Sequence, residues 1–328
     1  MTLAGKVRRV VDELELDLRD RVVLTEAATG PYVVTPALAA LAGARVYAFT
    51  RPTRYGSVAE VGEETYSLLD ALHVSKASVT VLDTLPPEVV AEADVITNSG
   101  HLRPLDESVL GHARSEVVVP LMYEAWEERA EDLDLAYAHT RGIRVPGTNE
   151  RHRDVDVFSY LGELAVRQIH EAGLSLTHNR FVLLCNNPFG PFLARTLSSL
   201  CADLVVVQTV DELVAQLPLG DVAGVVLAAY PFEQEWVGHG AAISPGFLAE
   251  HLPGAVLLRF AGHVDTAALS EAQVSYHPRV VPRGHMGTLL SDIGPDSVIR
   301  LQAGGLKAAE VALSGGTMFR GEPILEWL

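Results

Sequence analysis

The stretch Arg180-Phe-Val-Leu-Leu-Cys-Asn-Asn-Pro-Phe-Gly-Pro-Phe-Leu-Ala-Arg195 has the layout of a nucleotide-binding turn. An apolar strand leads into a tight loop, and the spacing predicts a helix from Gly190. In a G-x-G-x-x-G loop, the first two glycines permit a tight turn and a close backbone approach to a pyrophosphate. Cys185 and Asn187 stand at those two places, and Gly190 keeps the third. The pattern predicts a turn of the dinucleotide-binding type in which the first two glycines of the phosphate loop are replaced.

Five residues in and after this turn form a candidate cofactor-binding set: Asn186, Asn187, Phe189, Gly190 and Gln208. Asn186 and Asn187 tolerate positive φ at modest cost, but Asn187 carries a side chain where a pyrophosphate must contact backbone, and Pro188 removes an amide donor. An Asp or Glu ordinarily binds the adenosine ribose at the end of the next strand, and Gln208 stands there instead. Three interpretations remain open: ordinary NAD or NADP binding, another anionic or nucleotide ligand at the helix N-terminus, and a purely structural turn.

A second candidate cofactor site follows two early strands. Residues 25–36 link a strand to a helix, with Thr35 as the predicted N-cap and Pro36 at the first helical position. Arg51 and Arg54 follow the next strand, where a residue that recognises the 2′-phosphate of NADP would lie. Two guanidinium groups can bind a phosphate bidentately, and the alternative is a solvent-exposed polar loop.

Composition limits the classes of function. A chain of 328 residues is long enough for two domains with full cores, and its net charge of −17 excludes nucleic acid as an expected partner. No apolar run reaches the roughly 18–20 residues that cross a bilayer, and no signal core follows the first charges, so a cytoplasmic protein without a membrane partner is expected. Cys185 and Cys201 lie in apolar segments and are predicted to be buried free thiols.

Short β-rich runs alternate with helix-length amphipathic segments, which is typical of βαβ units and parallel sheets. The predicted strands lie at 22–24, 46–49, 79–82, 94–97, 117–121, 181–184, 204–207, 222–227, 255–258 and 280–281. A long helix over 154–172 separates the two sets, and a last helix covers 297–313. We predict an α/β fold with two doubly wound parallel-sheet domains, Rossmann-like or flavodoxin-like, around a central cleft. The boundaries are 1–150 plus 303–328 for a substrate or catalytic-type domain and 151–302 for an inserted dinucleotide-binding-like domain.

Several segments resemble the D-2-hydroxyacid dehydrogenases, a two-domain family that includes formate and glycerate dehydrogenases. Ala93-Asp-Val-Ile-Thr-Asn-Ser-Gly100 is similar to the family's strand and Ser-Gly loop, and Arg141-Gly-Ile-Arg-Val-Pro-Gly-Thr-Asn149 to its Arg-Gly-Ile segment. Val281-Pro-Arg-Gly-His-Met-Gly287 looks like its Thr-Pro-His segment before the final helix. The similarity covers about residues 90–315, and it identifies the chain as a divergent member with a degenerate NAD motif.

The resemblance implies a set of site residues. In that family, amides of the Ser-Gly loop hold a substrate carboxylate, an arginine anchors the substrate, and a histidine paired with an acid moves a proton while hydride passes to or from NAD. The implied substrate-binding residues are Asn98, Ser99, Gly100, His101 and Arg103. The implied catalytic residues are His285 and Arg259, with Arg259 displaced by about one position. Between them, residues 270–279 offer only Glu271 as the acid, on a predicted helix.

Because ligands bind at the carboxyl ends of the strands in such sheets, we expect the candidate residues along one cleft: Ser99, Gly100, Arg51, Asn186, Arg259 and His285. Tyr123, Glu124 and Trp126 interrupt an apolar strand end, where the aromatic rings either stack on a flat ligand or close an interface. No group of histidines has metal-ligand spacing, so no metal is expected. The family resemblance implies a homodimer.

Two functions remain open on this basis. The first is an oxidoreductase-like enzyme for a small carboxylate of the 2-hydroxy or 2-keto acid type, with atypical binding of NAD or NADP. The second is a non-redox biosynthetic enzyme, or a binding protein for a small anionic metabolite, on a dehydrogenase scaffold that has lost ordinary NAD binding. The missing glycines, ribose acid and histidine partner favour the second function, and the retained His285 segment and Ser-Gly loop favour an active site.

Overall fold

A computed structural model describes residues 1–328. The α-helices are α1 Leu3–Glu13, α2 Val34–Leu41, α3 Val58–Ala71, α4 Pro87–Glu92, α5 Glu107–Leu110, α6 Leu135–Thr140, α7 Leu161–Glu171, α8 Gly190–Leu200, α9 Val210–Ala215, α10 Pro245–His251, α11 Thr266–Glu271 and α12 Pro295–Leu313. The strands are β1 Val22–Glu26, β2 Arg45–Phe49, β3 Val79–Leu82, β4 Val95–Ile96, β5 Pro146–Thr148, β6 Arg180–Leu184, β7 Asp203–Val207, β8 Gly224–Ala228, β9 Glu235–Val237, β10 Val256–Ala261, β11 His263–Val264, β12 Tyr276–His277, β13 Met318–Phe319, β14 Glu322–Pro323 and β15 Leu325–Trp327. Short 3₁₀ turns cover Gly30–Val33, Lys76–Ser78, Gly100–Leu102, Ala125–Glu127, Phe158–Tyr160 and Leu290–Ile293.

The chain divides into two compact units. The first unit is Met1–Val157 with Gly294–Leu328, and the second is Phe158–Ile293. Each unit contains a parallel sheet, of order β3-β2-β1-β4 in the first and β12-β10-β8-β6-β7 in the second. The predicted α/β fold class with parallel, Rossmann-like sheets is confirmed.

In the first unit, two extended segments continue the sheet beyond β4. Val118 forms parallel bridges to Val95 on one side and to Arg144 on the other. The spatial order is therefore β3, β2, β1, β4, the segment at Val118 and the segment at Arg144. Numbered by their order along the chain, these are 3-2-1-4-5-6, so the direction of winding reverses between β1 and β4. Crevices at such a switch point, beyond the carboxyl ends of the strands, are where doubly wound sheets bind ligands.

The last helix of the chain, α12, packs into the core of the first unit. Helix α12 packs against α1, α2 and β5. Its small residues Ala303, Gly304 and Ala309 are buried, which lets the neighbouring elements approach closely. Strand β15 pairs antiparallel with β5, so the end of the chain also closes on this unit.

The sheet of the second unit has the spatial order β7, β6, β8, β10, β12. Numbered by their order along the chain, these strands are 2-1-3-4-5. The buried apolar residues of β6 and β8, such as Val182 and Val225, pack in one cluster on the sheet. The switch point lies between β6 and β8, because β7 is on one side of β6 and the remaining strands are on the other. The loops that follow β6 and β8 therefore flank the crevice in which a ligand of this unit is expected.

Three predicted element boundaries were wrong. The long helix begins at Leu161 rather than near 154, because Asp156 has a φ of 49° and interrupts helical geometry. Thr35 is not an N-cap: α2 starts at Val34, directly after the 3₁₀ turn, and the buried Thr35 hydroxyl donates to Gln302. The last strand of the second sheet is Tyr276–His277 and not 280–281, and Val280 is 87% exposed.

Gly162 is the contact point of α7 with α8. A Cβ atom at this position would overlap the Thr196 side chain, so only glycine allows the observed packing. We expect Gly162→Ala to lower the free energy of unfolding by about 1–3 kcal/mol, measured by denaturant titration. Gly246→Ala is the matched control, since its nearest neighbour would be 3.9 Å away. That helical substitution should be neutral or stabilise by up to about 1 kcal/mol, and equal effects of the two variants would contradict the packing described.

Candidate functional site

A buried carboxyl group lies at the end of β1, beside the switch point of the first unit's sheet. Glu26, the last residue of β1, is 5% exposed. The backbone amide of His101 donates to its Oε2 atom at 3.2 Å, and the structure shows no hydrogen bond to Oε1. Burial raises the pKa of Glu26, and the His101 amide and the charge of Arg103 oppose this only in part. Sequence analysis missed Glu26, although its position as the polar residue that ends an apolar strand was a usable signal.

The Ser-Gly loop follows β4 and packs on this carboxyl. The hydroxyl groups of Thr25, Thr97 and Ser99 form a buried chain with oxygen separations of 2.8 and 2.7 Å. Asn98 is also fully buried, and its side-chain amide donates to the Tyr123 hydroxyl at 2.9 Å. The side chains of Asn98 and Ser99 are therefore engaged within the unit, and the Gly100 amide is the donor that the loop leaves free.

The two arginines after β2 have different contacts. Arg51 donates to the carbonyl oxygens of His101 and Arg103, so it is part of the Ser-Gly loop site. Arg54 stacks on Tyr55, with its guanidinium carbon 4.7 Å from the ring centroid. Burial lowers the pKa of His101, and the charge of Arg51 lowers it further. Joint binding of one phosphate by Arg51 and Arg54 stays a prediction, and the two guanidinium groups have different partners in the structure.

An ion network encloses Tyr123. Arg103 and Arg129 both pair with Asp132, at 3.3 and 3.1 Å, and both guanidinium groups lie over the Tyr123 ring. The Tyr123 hydroxyl donates to Asp132 at 3.3 Å, and burial raises its pKa to about 12. Arg103 also donates to the Asn98 side chain at 2.9 Å, which ties the network to the loop. Tyr123 is 6% exposed, so its ring supports the loop rather than offering a stacking surface.

Three glutamates interact electrostatically near this network: Glu124 and Glu150 are buried, and Glu127 is half-buried. Glu124 is 2% exposed and accepts from Arg151 at 2.8 Å and from the Trp126 indole at 2.7 Å. Burial raises the pKa of Glu127 to about 8, with the charge of Glu124 as the second cause. Burial and the charge of Glu127 also raise the pKa of Glu150. The Oε1 atom of Glu127 is buried without a hydrogen-bond partner, as expected of a carboxyl group that retains a proton.

In the second unit, two asparagine side chains span the crevice between β6 and β8. Asn186 donates to the Tyr230 carbonyl at 2.8 Å and accepts from the Tyr230 amide at 2.7 Å. Asn187 donates to the Ala228 carbonyl at 2.7 Å. Neither asparagine adopts the positive φ that this residue type tolerates. They instead bind the turn to the end of β8.

The first turn of α8 has little capacity to hold a pyrophosphate. The Phe189 amide donates to the Asn187 side chain at 3.0 Å, and the Gly190 amide donates to the Asn187 carbonyl at 3.2 Å. Pro188 and Pro191 have no amide hydrogen. The usual phosphate site needs free amides that point out of a helix N-terminus, so these residues do not fit a dinucleotide held in that way. The Phe189 ring is 2% exposed and stacks on Phe232 in the core.

A cavity of about 460 Å³ lies beside the turn, toward β7. Its walls are mainly uncharged and apolar: Cys185, Pro188, Pro191, Ala194 and Val206. Gln208 lines it too, and the backbone amide of Gln208 donates to the Glu212 carboxylate at 2.7 Å. No acidic side chain lines this cavity, and burial raises the pKa of the Cys185 thiol to about 11, so that thiol stays neutral.

Arg259 lies on β10 at a bulge in its pairing with β8, and it is 2% exposed. Its Nη1 atom donates to the carbonyls of Pro278 and Arg279 at 3.1 and 3.2 Å. The Nε atom is buried with no hydrogen-bond partner, and no carboxylate pairs with this guanidinium. Burial lowers the pKa of Arg259, as expected of a cation removed from water.

The loop of His285 packs on the same strand end. The Gly287 amide donates to the Phe260 carbonyl at 2.8 Å, and a Cβ atom at Gly287 would overlap the Arg259 carbonyl oxygen. The His285 side chain is exposed, with Nδ1 at 3.0 Å from the Arg283 carbonyl. Glu271, the predicted acid partner, pairs with His239 at 3.5 Å instead. The structure therefore brings the His285 loop to Arg259 without a carboxylate beside the histidine.

Neither a metal cluster nor a membrane span is found in the structure. It contains no group of three or more His, Cys, Asp or Glu side chains placed to hold a metal ion. None of its helices combines the length and the apolar character that a membrane span requires.

The buried carboxyl of Glu127 makes stability depend on pH. Its pKa is about 8 in the folded protein against an ordinary value of 4.5, so folding retains a proton that the unfolded chain releases between these values. The stabilisation is complete below about pH 4.5 and is lost as the pH rises toward about 8. We expect Glu127→Gln to melt close to wild type at acidic pH and above it at pH 8. The exposed Glu131→Gln is the control, and a pH-independent effect of Glu127→Gln in thermal melts would contradict the assignment.

The comparisons with known proteins support the fold. No protein-family model and no curated protein matches the sequence. Among solved structures, a dipicolinate synthase chain from Bacillus halodurans matches at 12% identity and a TM-score of 0.57, over 88% of this chain and 96% of that chain. The corresponding dipicolinate synthase chain from Bacillus subtilis matches at 12% identity and a TM-score of 0.58, over 92% of this chain and 99% of that chain.

A more distant match is the NAD-dependent formate dehydrogenase from Staphylococcus aureus in complex with NAD, at 12% identity and a TM-score of 0.46 over 92% of this chain and 98% of that chain. At these identities the similarity concerns the fold. The predicted resemblance to the D-2-hydroxyacid dehydrogenases is confirmed at the level of the fold alone.

Proposed function

We propose that this protein is an enzyme that acts on a small carboxylate through Arg259 and the His285 loop, on a dehydrogenase scaffold that does not hold a dinucleotide in the ordinary way. The observation that carries the proposal is the state of Arg259. This guanidinium is 2% exposed, it has no carboxylate partner, and its Nε atom lacks any hydrogen bond.

A buried cation without a counter-charge costs several kcal/mol, and an anionic ligand removes that cost. The two carbonyls that accept from Nη1 hold the guanidinium in place and leave its Nε edge for a ligand. The planar fork of arginine matches a carboxylate group in shape and charge. Burial lowers the pKa of His263, and the charges of Arg283 and Arg259 lower it further, whereas the charges of Glu235 and Asp265 act in the opposite direction.

His285 supplies the acid–base group in this proposal. With its Nδ1 hydrogen donated to the Arg283 carbonyl, the Nε2 atom is the one that accepts and returns a proton. Histidine suits this role because its ordinary pKa lies near neutral pH. The His285 ring is exposed, and Gly287 fixes the end of its loop on β10 through the hydrogen bond to the Phe260 carbonyl.

The second candidate function is an oxidoreductase that binds NAD or NADP in an atypical way. The uncharged cavity beside β7 favours it, because a dinucleotide-binding unit of this topology places adenosine on that side and the volume of about 460 Å³ is of the size that small-molecule sites have. The occupied amides of the turn and the absence of a ribose acid favour the first function instead.

Arg259→Gln tests the proposal. Isothermal titration with pyruvate, glyoxylate and oxalate should show binding to wild type, and the variant should bind at least about tenfold more weakly, since a hydrogen bond to a charged group contributes about 1.5–3 kcal/mol. Arg259→Lys should not restore binding, because lysine lacks the planar fork.

Arg195→Gln is the matched control, since Arg195 is an exposed arginine of the same unit that hydrogen-bonds Ser159. A melting temperature for each variant separates lost binding from lost folding. Unchanged affinity of a folded Arg259→Gln variant would overturn the proposed carboxylate site.

A further inference from the structure

We propose that a cavity of the first unit, between α1, α3 and the 3₁₀ turn Gly30–Val33, is a binding site for a primary amine with an extended apolar body. The cavity has a volume of about 1030 Å³, close to the upper limit of about 1,000 Å³ for ordinary small-molecule sites. All of its lining residues belong to the first unit. The inference uses no residue of the Arg259 site, so it goes beyond the function proposed above.

Helix α3 gives the cavity two chemically different ends. Glu60, Glu64, Leu68 and Ala71 recur at intervals of three or four residues, so they lie on one face of the helix, and all four line the cavity. The carboxylates are in the first half of the helix, and the apolar side chains are in the second half. A ligand that matches both ends needs a positively charged head and an apolar body.

Other elements of the unit extend the apolar wall. Leu3 and Ala4 belong to the first turn of α1, Pro31 and Val33 to the 3₁₀ turn, and Pro295 to the first turn of α12. An apolar ligand that leaves water for such a surface gains affinity in proportion to the area that it buries. Each buried methylene group is expected to raise the affinity about fourfold.

The charged end of the cavity is formed mainly by Glu63 and Glu64. The Glu60 carboxylate accepts from the amide and the hydroxyl of Ser57, at 2.7 and 2.8 Å, and the positive N-terminus of α3 offsets its charge. Glu64 accepts from the Gly30 amide at 3.1 Å, which holds its carboxylate at the 3₁₀ turn. Glu63 is exposed and lines the same cavity.

The basic side chains of the neighbouring helix do not neutralise this end. Lys6 and Arg9 of α1 pair with Asp296, and Arg8 donates to the Leu72 carbonyl at 2.7 Å. No Lys, Arg or His side chain lines the cavity. Like charges three and four residues apart on a helix repel each other, so a bound cation relieves this repulsion.

These charges select the head group of the ligand. A primary ammonium group carries three hydrogen-bond donors and a positive charge, both of which suit a pair of carboxylates. A carboxylate head group on the same apolar body would be repelled. A diamine with a short chain would match the charge but would leave the apolar wall uncovered.

Octylamine, octan-1-ol and octanoate test the charge preference, because they share one chain and differ in the head group. In isothermal titrations of the full chain at low salt and neutral pH, we expect octylamine to bind at least about fivefold more tightly than octan-1-ol. Octanoate should show no saturable binding in the Arg259→Gln variant, which lacks the carboxylate site proposed in the other unit. Hexylamine should bind about tenfold more weakly than octylamine, because it buries two methylene groups fewer.

Two variants locate the binding in this cavity. Glu63→Gln combined with Glu64→Gln should weaken octylamine about fivefold and leave octan-1-ol unchanged, with Glu88→Gln on α4 as the exposed control outside the cavity. Ala71→Phe fills the apolar end and should abolish the binding of both compounds. Ala59→Phe is its control, since Ala59 is exposed on the same helix and does not line the cavity.

Melting temperatures without ligand show whether each variant is folded. Octanoate binding as tight as that of octylamine in the Arg259→Gln variant would overturn the inference. So would octylamine binding that is unchanged in a folded Ala71→Phe variant, or butane-1,4-diamine binding as tight as that of octylamine. None of these results bears on carboxylate binding at Arg259, which the wild-type protein reports separately.

Discussion

The hydrogen bonds of Asn186 and Asn187 across the β6–β8 crevice are the constraint on which the second unit depends. In a parallel sheet of this order, the loops after β6 and β8 must separate to admit a ligand at the switch point. Here Asn186 exchanges two hydrogen bonds with Tyr230, and Asn187 binds Ala228. These hydrogen bonds between uncharged groups take the place of the free backbone amides that a glycine-rich loop presents. They hold the turn before α8 to the end of β8 without a bound phosphate.

The two units therefore use the same topological position in different ways. In the second unit, side-chain hydrogen bonds span the switch point, and the buried Nε atom of Arg259 at a different strand end has no hydrogen-bond partner. In the first unit, the switch point holds the buried carboxyl of Glu26 beneath a glycine loop. Both groups are ionisable, both are buried, and neither has a charged partner of its own.

Sequence reasoning predicted the scaffold well because periodicity and strand–helix alternation report on the core. Strand β6 and the start of α8 at Gly190 followed from an apolar run and one glycine. The roles of Asn186 and Asn187 did not follow, because their partners are backbone atoms more than forty residues away, which no local pattern encodes. Glu26 was missed for a similar reason: its burial results from a loop that the chain forms only after β4.

The role of the turn before α8 is tested most directly by titration of the wild-type protein with NADH and NADPH, followed by nucleotide fluorescence and by melting temperature. We predict no saturable binding up to about 1 mM and no thermal stabilisation, because the Phe189 and Gly190 amides are bonded within the turn and Pro188 and Pro191 have no amide hydrogen for a pyrophosphate. Micromolar binding that survives Arg51→Ala and Arg54→Ala would place the dinucleotide outside the first unit's arginine loop and would contradict the description of the turn as closed to a pyrophosphate.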